Sequence, residues 1–292
     1  MKKFVSLMLS ILMVIMLFPT VASATASDQS SDLVHKLETL KQYRRDYQGN
    51  VSDEEIQNFQ HFWSELKNLG ALCVDDLGHI FISDTLAKTQ DVQQLLEENQ
   101  RFLYMLDFIN SLVDFKFIEI SDSIDLVALE ITDESIKLIA QDNVSSVPPS
   151  TPYYEPHDCG LPRLNVKALC TQNYNELVDY LDAAILTSKL NPDIDPWLTT
   201  ASFWVGRVLG PWNYKKVPGY SPYNKEFCMT YGDYDYMHQT SEWLGNYNYG
   251  FTGSFLFPLD VLHLGSQVVA GFDEKDKEDW PAIDEGFYDA PQ

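Results

Sequence analysis

Between Phe203 and Phe255, 15 of 53 residues are aromatic, against 23 of the other 239. Rings at that density need burial or a ligand, since each carries roughly 150–250 Å² of surface. Glycines and prolines punctuate the stretch, among them Gly210, Pro211, Pro218, Gly219, Gly245, Gly250 and Gly253. They interrupt both helical and alternating periodicity. The pattern predicts an ordered, aromatic, glycine-rich loop region, and long ordered loops tend to carry function. The alternative is that the rings fill a small core short of aliphatic residues. The sequence leaves both open.

The chain begins with a different constraint. Lys2 and Lys3 precede an apolar run from Phe4 to Phe18, Pro19 breaks it, and Ala22-Ser23-Ala24 supplies a small-x-small cleavage pattern. This is the tripartite secretory signal. The run of about 15 residues falls short of the roughly 20 that span a bilayer. Residues 1–24 therefore read as a signal peptide cleaved after Ala24 or Ala26, leaving an exported protein with no stable membrane insertion. Losing Lys2 and Lys3 takes the net charge from −23 to −25. That charge disfavours broad electrostatic capture of nucleic acid but not a local site acting on it. Cys73, Cys159, Cys170 and Cys228 allow disulfides in an exported protein. Cys159–Cys170, flanking a short Gly/Pro segment, is the favoured single pair, with four reduced cysteines as the alternative.

The fold class expected is α+β. Residues 28–143 read as a mainly helical accessory domain with a small strand set. Ser52-Asp53-Glu54-Glu55 is a capping box ahead of Ile56, Phe59, Trp63, Leu66 and Leu69, and Gly70 is a stop signal. Gly78–Ile82 looks like a strand, Asp91–Val113 like one long helix, and Phe115–Ile120 and Leu126–Ile131 like two strands before a short helix capped by Thr132. Residues 144–156, with Val144-Ser145-Ser146-Val147-Pro148-Pro149, read as a linker. Residues 157–292 read as a mostly helical domain around the aromatic region. It has an amphipathic helix over Asn173–Leu186, a helix started by Asp195-Pro196, another from Pro258 to Ala270, a solvated charge run from Asp273 to Asp279, and a final helix from Trp280.

Two blocks carry the chemistry. One is Gly210-Pro211-Trp212-Asn213-Tyr214-Lys215. The other is Glu242-Trp243-Leu244-Gly245-Asn246-Tyr247-Asn248-Tyr249-Gly250-Phe251-Thr252-Gly253. The three glycines of the second permit positive φ or close backbone approach, and its asparagines offer donors and acceptors. His238 precedes Glu242 by four residues, one helical turn, and on a shared helical face the carboxylate would hold the imidazole for acid/base work. An ordinary surface ion pair is the plainer reading. Asp233 and Asp235 lie just upstream. Metal-binding, P-loop, dinucleotide-binding and GxSxG spacings are absent from the sequence, so no cofactor and no metal is expected.

From about Phe203 to Tyr288 these blocks, in this order, resemble the polymorphic toxin type 44 family. The Gly-Pro-Trp-x-Tyr-Lys block at Gly210–Lys215 is followed by the Gly-Asn-aromatic-polar-Tyr-Gly-x-Thr-Gly block at Gly245–Gly253. A Leu-rich helix over Leu259–Ala270 and an acid-rich close over Asp273–Tyr288 complete the match. The resemblance covers under a third of the chain. It implies a C-terminal toxin domain with nuclease-like, ribonuclease-type activity in bacterial competition, and a cognate immunity protein. Trp212, Lys215, Glu242, Asn246, Tyr249 and Gly250 match the pattern. Asn213 stands where an acidic residue is expected and Asn248 where histidine is frequent.

Metal-free RNA cleavage needs a base, an acid and a cation. Glu242 or His238, Tyr249 and Lys215 are the candidates for those roles, with Trp212, Asn213, Asn246, Tyr247 and Asn248 contacting substrate. The competing class is an extracellular one: a cell-wall glycan hydrolase using Glu242 with Asp233 or Asp235, or a carbohydrate-binding module built on an aromatic platform. The blocks at Gly210–Lys215 and Gly245–Gly253 are expected to pack side by side and line one cleft.

Overall fold

The computed structural model describes residues 50–142, 160–231, 234–270 and 274–291, the side chains of 234–236, 268–270 and 274–276 excepted. Residues 1–24, expected as a signal peptide, residues 144–156, expected as a linker, and Asp233 lie outside the described residues. The fold is α+β, with helices dominant and sheets of two or three strands. The chain forms two compact units that interleave in sequence. One holds residues 48–138 and 178–202, the other 139–177 and 203–292.

In the first unit, α1 (Asp53–Asn68) starts where its sequence says it should. Ser52 is extended and its hydroxyl accepts from the Glu55 N–H at 3.1 Å. Phe59, Phe62, Trp63 and Leu66 face inward, and Gly70, at φ 65°, turns the chain out of the helix. Two antiparallel hairpins form: β1 (Leu72–Val74), which was not expected, pairs with β2 (Ile80–Ile82), and β3 (Ile118–Ile120) pairs with β4 (Leu126–Ala128), the last three within the expected strands. Between them the single helix expected over Asp91–Val113 is two. α2 (Gln90–Glu98) and α3 (Tyr104–Asp114) are separated by a 3₁₀ turn, Gln100–Phe102. Asn99 sits at the break with φ −122°, and its amide donates to the Leu95 carbonyl at 2.9 Å. An asparagine side chain that bonds backbone competes with the helical ladder. Phe102, placed by that turn, packs 5.5 Å from Phe59 and 5.9 Å from Phe62. α4 (Asp133–Gln141) follows β4.

The second unit is built on a three-stranded sheet. β5 (Arg163–Asn165) pairs parallel with β6 (Glu226–Tyr231), which pairs antiparallel with β7 (Tyr234–Thr240). α5 (Val166–Ser188) and α6 (Pro196–Leu209) contribute residues to both units. Asp195 caps α6, its carboxylate accepting from the N–H groups of Trp197 and Leu198. After β7 come α7 (Ser241–Gly253), α8 (Leu259–Ala270), a 3₁₀ turn over Glu274–Asp279 and α9 (Trp280–Asp289).

The irregular region expected over 203–255 is therefore corrected to the end of α6, a turn region, a hairpin and a helix. The Gly245–Gly253 block is inside α7, capped by the Thr240 hydroxyl on the Trp243 N–H. None of its glycines has positive φ; among the described residues those are Gly70, Gly78, Gly160 and Gly219. Close approach explains Gly250 and Gly253 instead. A Cβ on Gly250 would lie 2.0 Å from the Ile283 carbonyl oxygen, and one on Gly286 2.0 Å from the Tyr247 carbonyl oxygen. α7 and α9 cross with backbone against backbone, which repays the helix propensity lost at each glycine. The aromatic residues fill this unit's core, where Tyr214, Tyr220, Phe227, Tyr231, Tyr247 and Phe251 are all buried.

The cysteines also depart from expectation. Cys170 is a buried free thiol, Cys73 is free, and Cys228 is disulfide-bonded. Both the Cys159–Cys170 pair and the fully reduced set are thereby excluded.

Candidate functional site

The two blocks meet. Tyr214 is anchored in the core, where its hydroxyl takes a 2.7 Å hydrogen bond from Asn173, whose amide also donates to Asn248 Oδ1 at 2.9 Å. The next residue, Lys215, lays its stem across Gly245: a Cβ there would stand 3.4 Å from Lys215 Cε. The ammonium then sits over the Tyr223 ring, 5.1 Å from its centroid. The Tyr223 carbonyl in turn accepts from the Glu242 N–H at 3.1 Å. Lys215, Tyr223 and Glu242 thus converge at the first turn of α7, and Tyr223 is exposed there.

Glu242 occupies a helix N-terminus, which favours the carboxylate. Its pKa is nevertheless raised above the ordinary value. Burial is the main cause, Asp279 and Glu278 add to it, and Lys215 opposes it. Partial desolvation beside a cation and two acids is the kind of environment that keeps a carboxyl available for proton exchange. Among the described residues Lys215 has no salt-bridge partner, so its charge is not already neutralised by contact. Asn246, one turn beyond Glu242, is partly buried with its Nδ2 unpartnered.

The other expected site residues separate from this point. His238 lies on β7 opposite Cys228, exposed, and α7 begins only at Ser241. His238 and Glu242 share no helical face. Trp212 is packed edge-on against Phe203 at 6.3 Å and is 5% exposed. Tyr247 is fully buried, donates to Asp289 at 2.7 Å and stacks on Trp243. Asn248 is fully buried, and its carbonyl accepts from the Thr252 hydroxyl, which accepts from the Trp204 indole N–H. All three are packed into the core of this unit. Asn213 is partly buried, its N–H given to the Gly210 carbonyl. Tyr249 is partly buried and donates to the Leu262 carbonyl at 3.1 Å.

Among the described residues no group of three or more His, Cys, Asp or Glu side chains is placed to hold a metal ion, and no helix is long and apolar enough to cross a membrane. Tyr223 was not visible as a site residue, because its place depends on a backbone hydrogen bond to a helix 19 positions later. The chain matches no protein-family model, no curated protein and no solved structure.

Proposed function

We propose that the protein is an exported, toxin-like hydrolase of bacterial competition, in which Glu242 exchanges a proton with substrate and Lys215 meets negative charge. A nuclease-like, ribonuclease-type reaction is the reading the site supports best. The observation that carries it is the convergence of a desolvated carboxyl, an unneutralised ammonium and an exposed ring at the start of α7. General acid/base transfer with electrostatic stabilisation of a phosphate needs those group types. The type 44 toxin resemblance, the signal peptide and a cognate immunity protein, with basic patches to match an acidic toxin, belong to the same proposal.

A second reading is a cell-wall glycan hydrolase. The net charge of −23 favours it, since a neutral glycan is not repelled. The aromatic-platform binding module loses support, because Trp212, Tyr214, Tyr231 and Tyr247 are each at most 5% exposed. Expression of the chain without residues 1–24 in a bacterial cytoplasm, and of the full chain for export to the periplasm, separates the two. Killing confined to the cytoplasm is the outcome expected. Killing confined to the periplasm favours the wall, and no killing in either compartment overturns the proposal.

A further inference from the structure

α8 and α9 meet through three side chains that no sequence spacing connects. His263 Nε2 lies 2.6 Å from Asp284 Oδ1. The Trp280 ring lies flat on the imidazole, with centroids 4.2 Å apart and planes 2° from parallel. A carboxylate at Nε2 selects the tautomer protonated there and leaves Nδ1 as an acceptor. Among the described residues nothing bonds Nδ1, and His263 keeps 18% of its side-chain surface. The ring is fixed on one edge by an acid and on one face by an indole, which is how an imidazole is held for proton transfer.

Its placement ties it to α7. Glu242, Asn246 and Tyr249 stand at i, i+4 and i+7 on that helix. At one end of the stripe, the Glu242 carboxyl interacts with Glu278 and Asp279, the residues just before Trp280. At the other end, the Tyr249 hydroxyl donates to the carbonyl of Leu262, just before His263.

We infer that His263 is a second proton-transfer group of the Glu242–Lys215 site, with Asp284 as its positioning residue and a phosphodiester beside a free hydroxyl as the substrate class. This rests on the hydrolase reading above. As the attacking hydroxyl oxygen bonds to phosphorus, His263 Nδ1 takes its proton. As the bond from phosphorus to the leaving oxygen breaks, the Glu242 carboxyl gives that oxygen a proton. Histidine gains one proton and glutamic acid loses one, so the step balances, and Lys215 faces the charge on the phosphate.

The test uses the full chain without its signal peptide, with a single-stranded RNA oligonucleotide, its DNA counterpart and intact cell-wall glycan as probes. His263→Asn should lower kcat on RNA by about 10²–10⁴-fold, with KM and melting temperature nearly unchanged. Asp284→Asn should lower kcat by roughly 10–100-fold, by analogy with residues that orient a functional histidine. Nitrogen-15 NMR of the wild type should show His263 protonated at Nε2 when neutral. That measurement stands even where a variant fails to fold, and a neutral ring protonated at Nδ1 overturns the inference. Wild-type activity in His263→Asn, with Glu242→Gln inactive, overturns the role of His263 and spares the hydrolase reading. Loss in His263→Asn with an active Glu242→Gln supports His263 and removes Glu242. A wild type that cleaves none of the probes removes both.

Discussion

In the unit of residues 48–138 and 178–202, charged side chains pair at the surface. In the unit of 139–177 and 203–292 they are drawn partly or wholly out of water. Lys67 meets Asp125 at 2.8 Å, Lys116 meets Glu134 at 2.6 Å, and His79 meets Asp114 at 2.8 Å. The hydrogen bond from Lys67 holds the Asp125 carboxyl below its usual range, and that from Lys116 does the same for Glu134. Asp182 and Tyr104 are the exceptions, both raised by burial. In the second unit the shifts run upward. Burial raises Glu242, Glu285, Tyr214 and Cys170, and takes Tyr220 up to about 12. Arg207, 8% exposed in its side chain, is balanced by Glu176 at 3.0 Å and Asp142 at 3.4 Å. The difference teaches where to look for chemistry: perturbed acids and bases need a desolvated setting, which the second unit supplies.

The largest effects on stability are expected at the glycines of the second unit. Gly250→Ala or Gly286→Ala puts a Cβ 2.0 Å from a carbonyl oxygen of the crossing helix. Overpacking a rigid backbone contact should cost about 3 kcal/mol or more. Gly245→Ala meets only the flexible Lys215 stem at 3.4 Å. It should instead hold or gain stability, by up to about 1 kcal/mol in helix propensity, while displacing Lys215 and lowering activity. Thermal melts with activity assays check both. Equal melting temperatures for the Gly250 and Gly245 variants would contradict a backbone-to-backbone crossing of α7 and α9.

Asn173→Ala and Asn248→Ala come next. Each breaks a buried hydrogen bond and strands its partner, at about 1–3 kcal/mol. Urea titration should show the loss, and any residual activity should keep its KM, because neither side chain reaches solvent.

Acid titration sharpens the contrast. Glu242 has its pKa raised in the folded state, so the folded state binds more protons and stability falls as pH rises from the unfolded value, about 4.3, through the folded one. Glu242→Gln should therefore melt no lower than wild type at pH 7, with any advantage vanishing below about pH 4. Asp125 behaves oppositely: its lowered value gives stability that is present above about pH 3.9 and lost on further acidification. The smallest effect belongs to Lys67→Met, whose solvent-exposed pair with Asp125 should leave the urea midpoint close to that of the wild type.

Much of the first unit is legible in the chain because its signals are local. Ser52 caps α1, Asp195-Pro196 starts α6, and the β3–β4 pair falls where two apolar runs flank Asp122-Ser123. Asn99 broke the long-helix expectation through a side-chain bond to backbone, which apolar periodicity does not register. The Gly245–Gly253 block was misread for a related reason. Gly250 answers to Ile283 on α9 and Gly253 to Leu262 and Trp204, and nothing local distinguishes a glycine that turns a chain from one that lets two elements touch. The side-by-side packing of Lys215 and Gly245 was legible from the two motifs. The burial of Trp212, Tyr247 and Asn248 was not, since a motif shows which residues occur together and not which of them face water. Tyr223, His263 and Asp284 enter only through tertiary contacts.

If the start of α7 carries the chemistry, Glu242→Gln and Lys215→Met are the two variants that decide it. Both side chains are at least partly exposed and away from the packed core, so each variant should melt within a few degrees of wild type, a change of about 0.5 kcal/mol or less. Both should lose RNA cleavage and cell killing. Two folded variants that kill and cleave as well as wild type would contradict the claim.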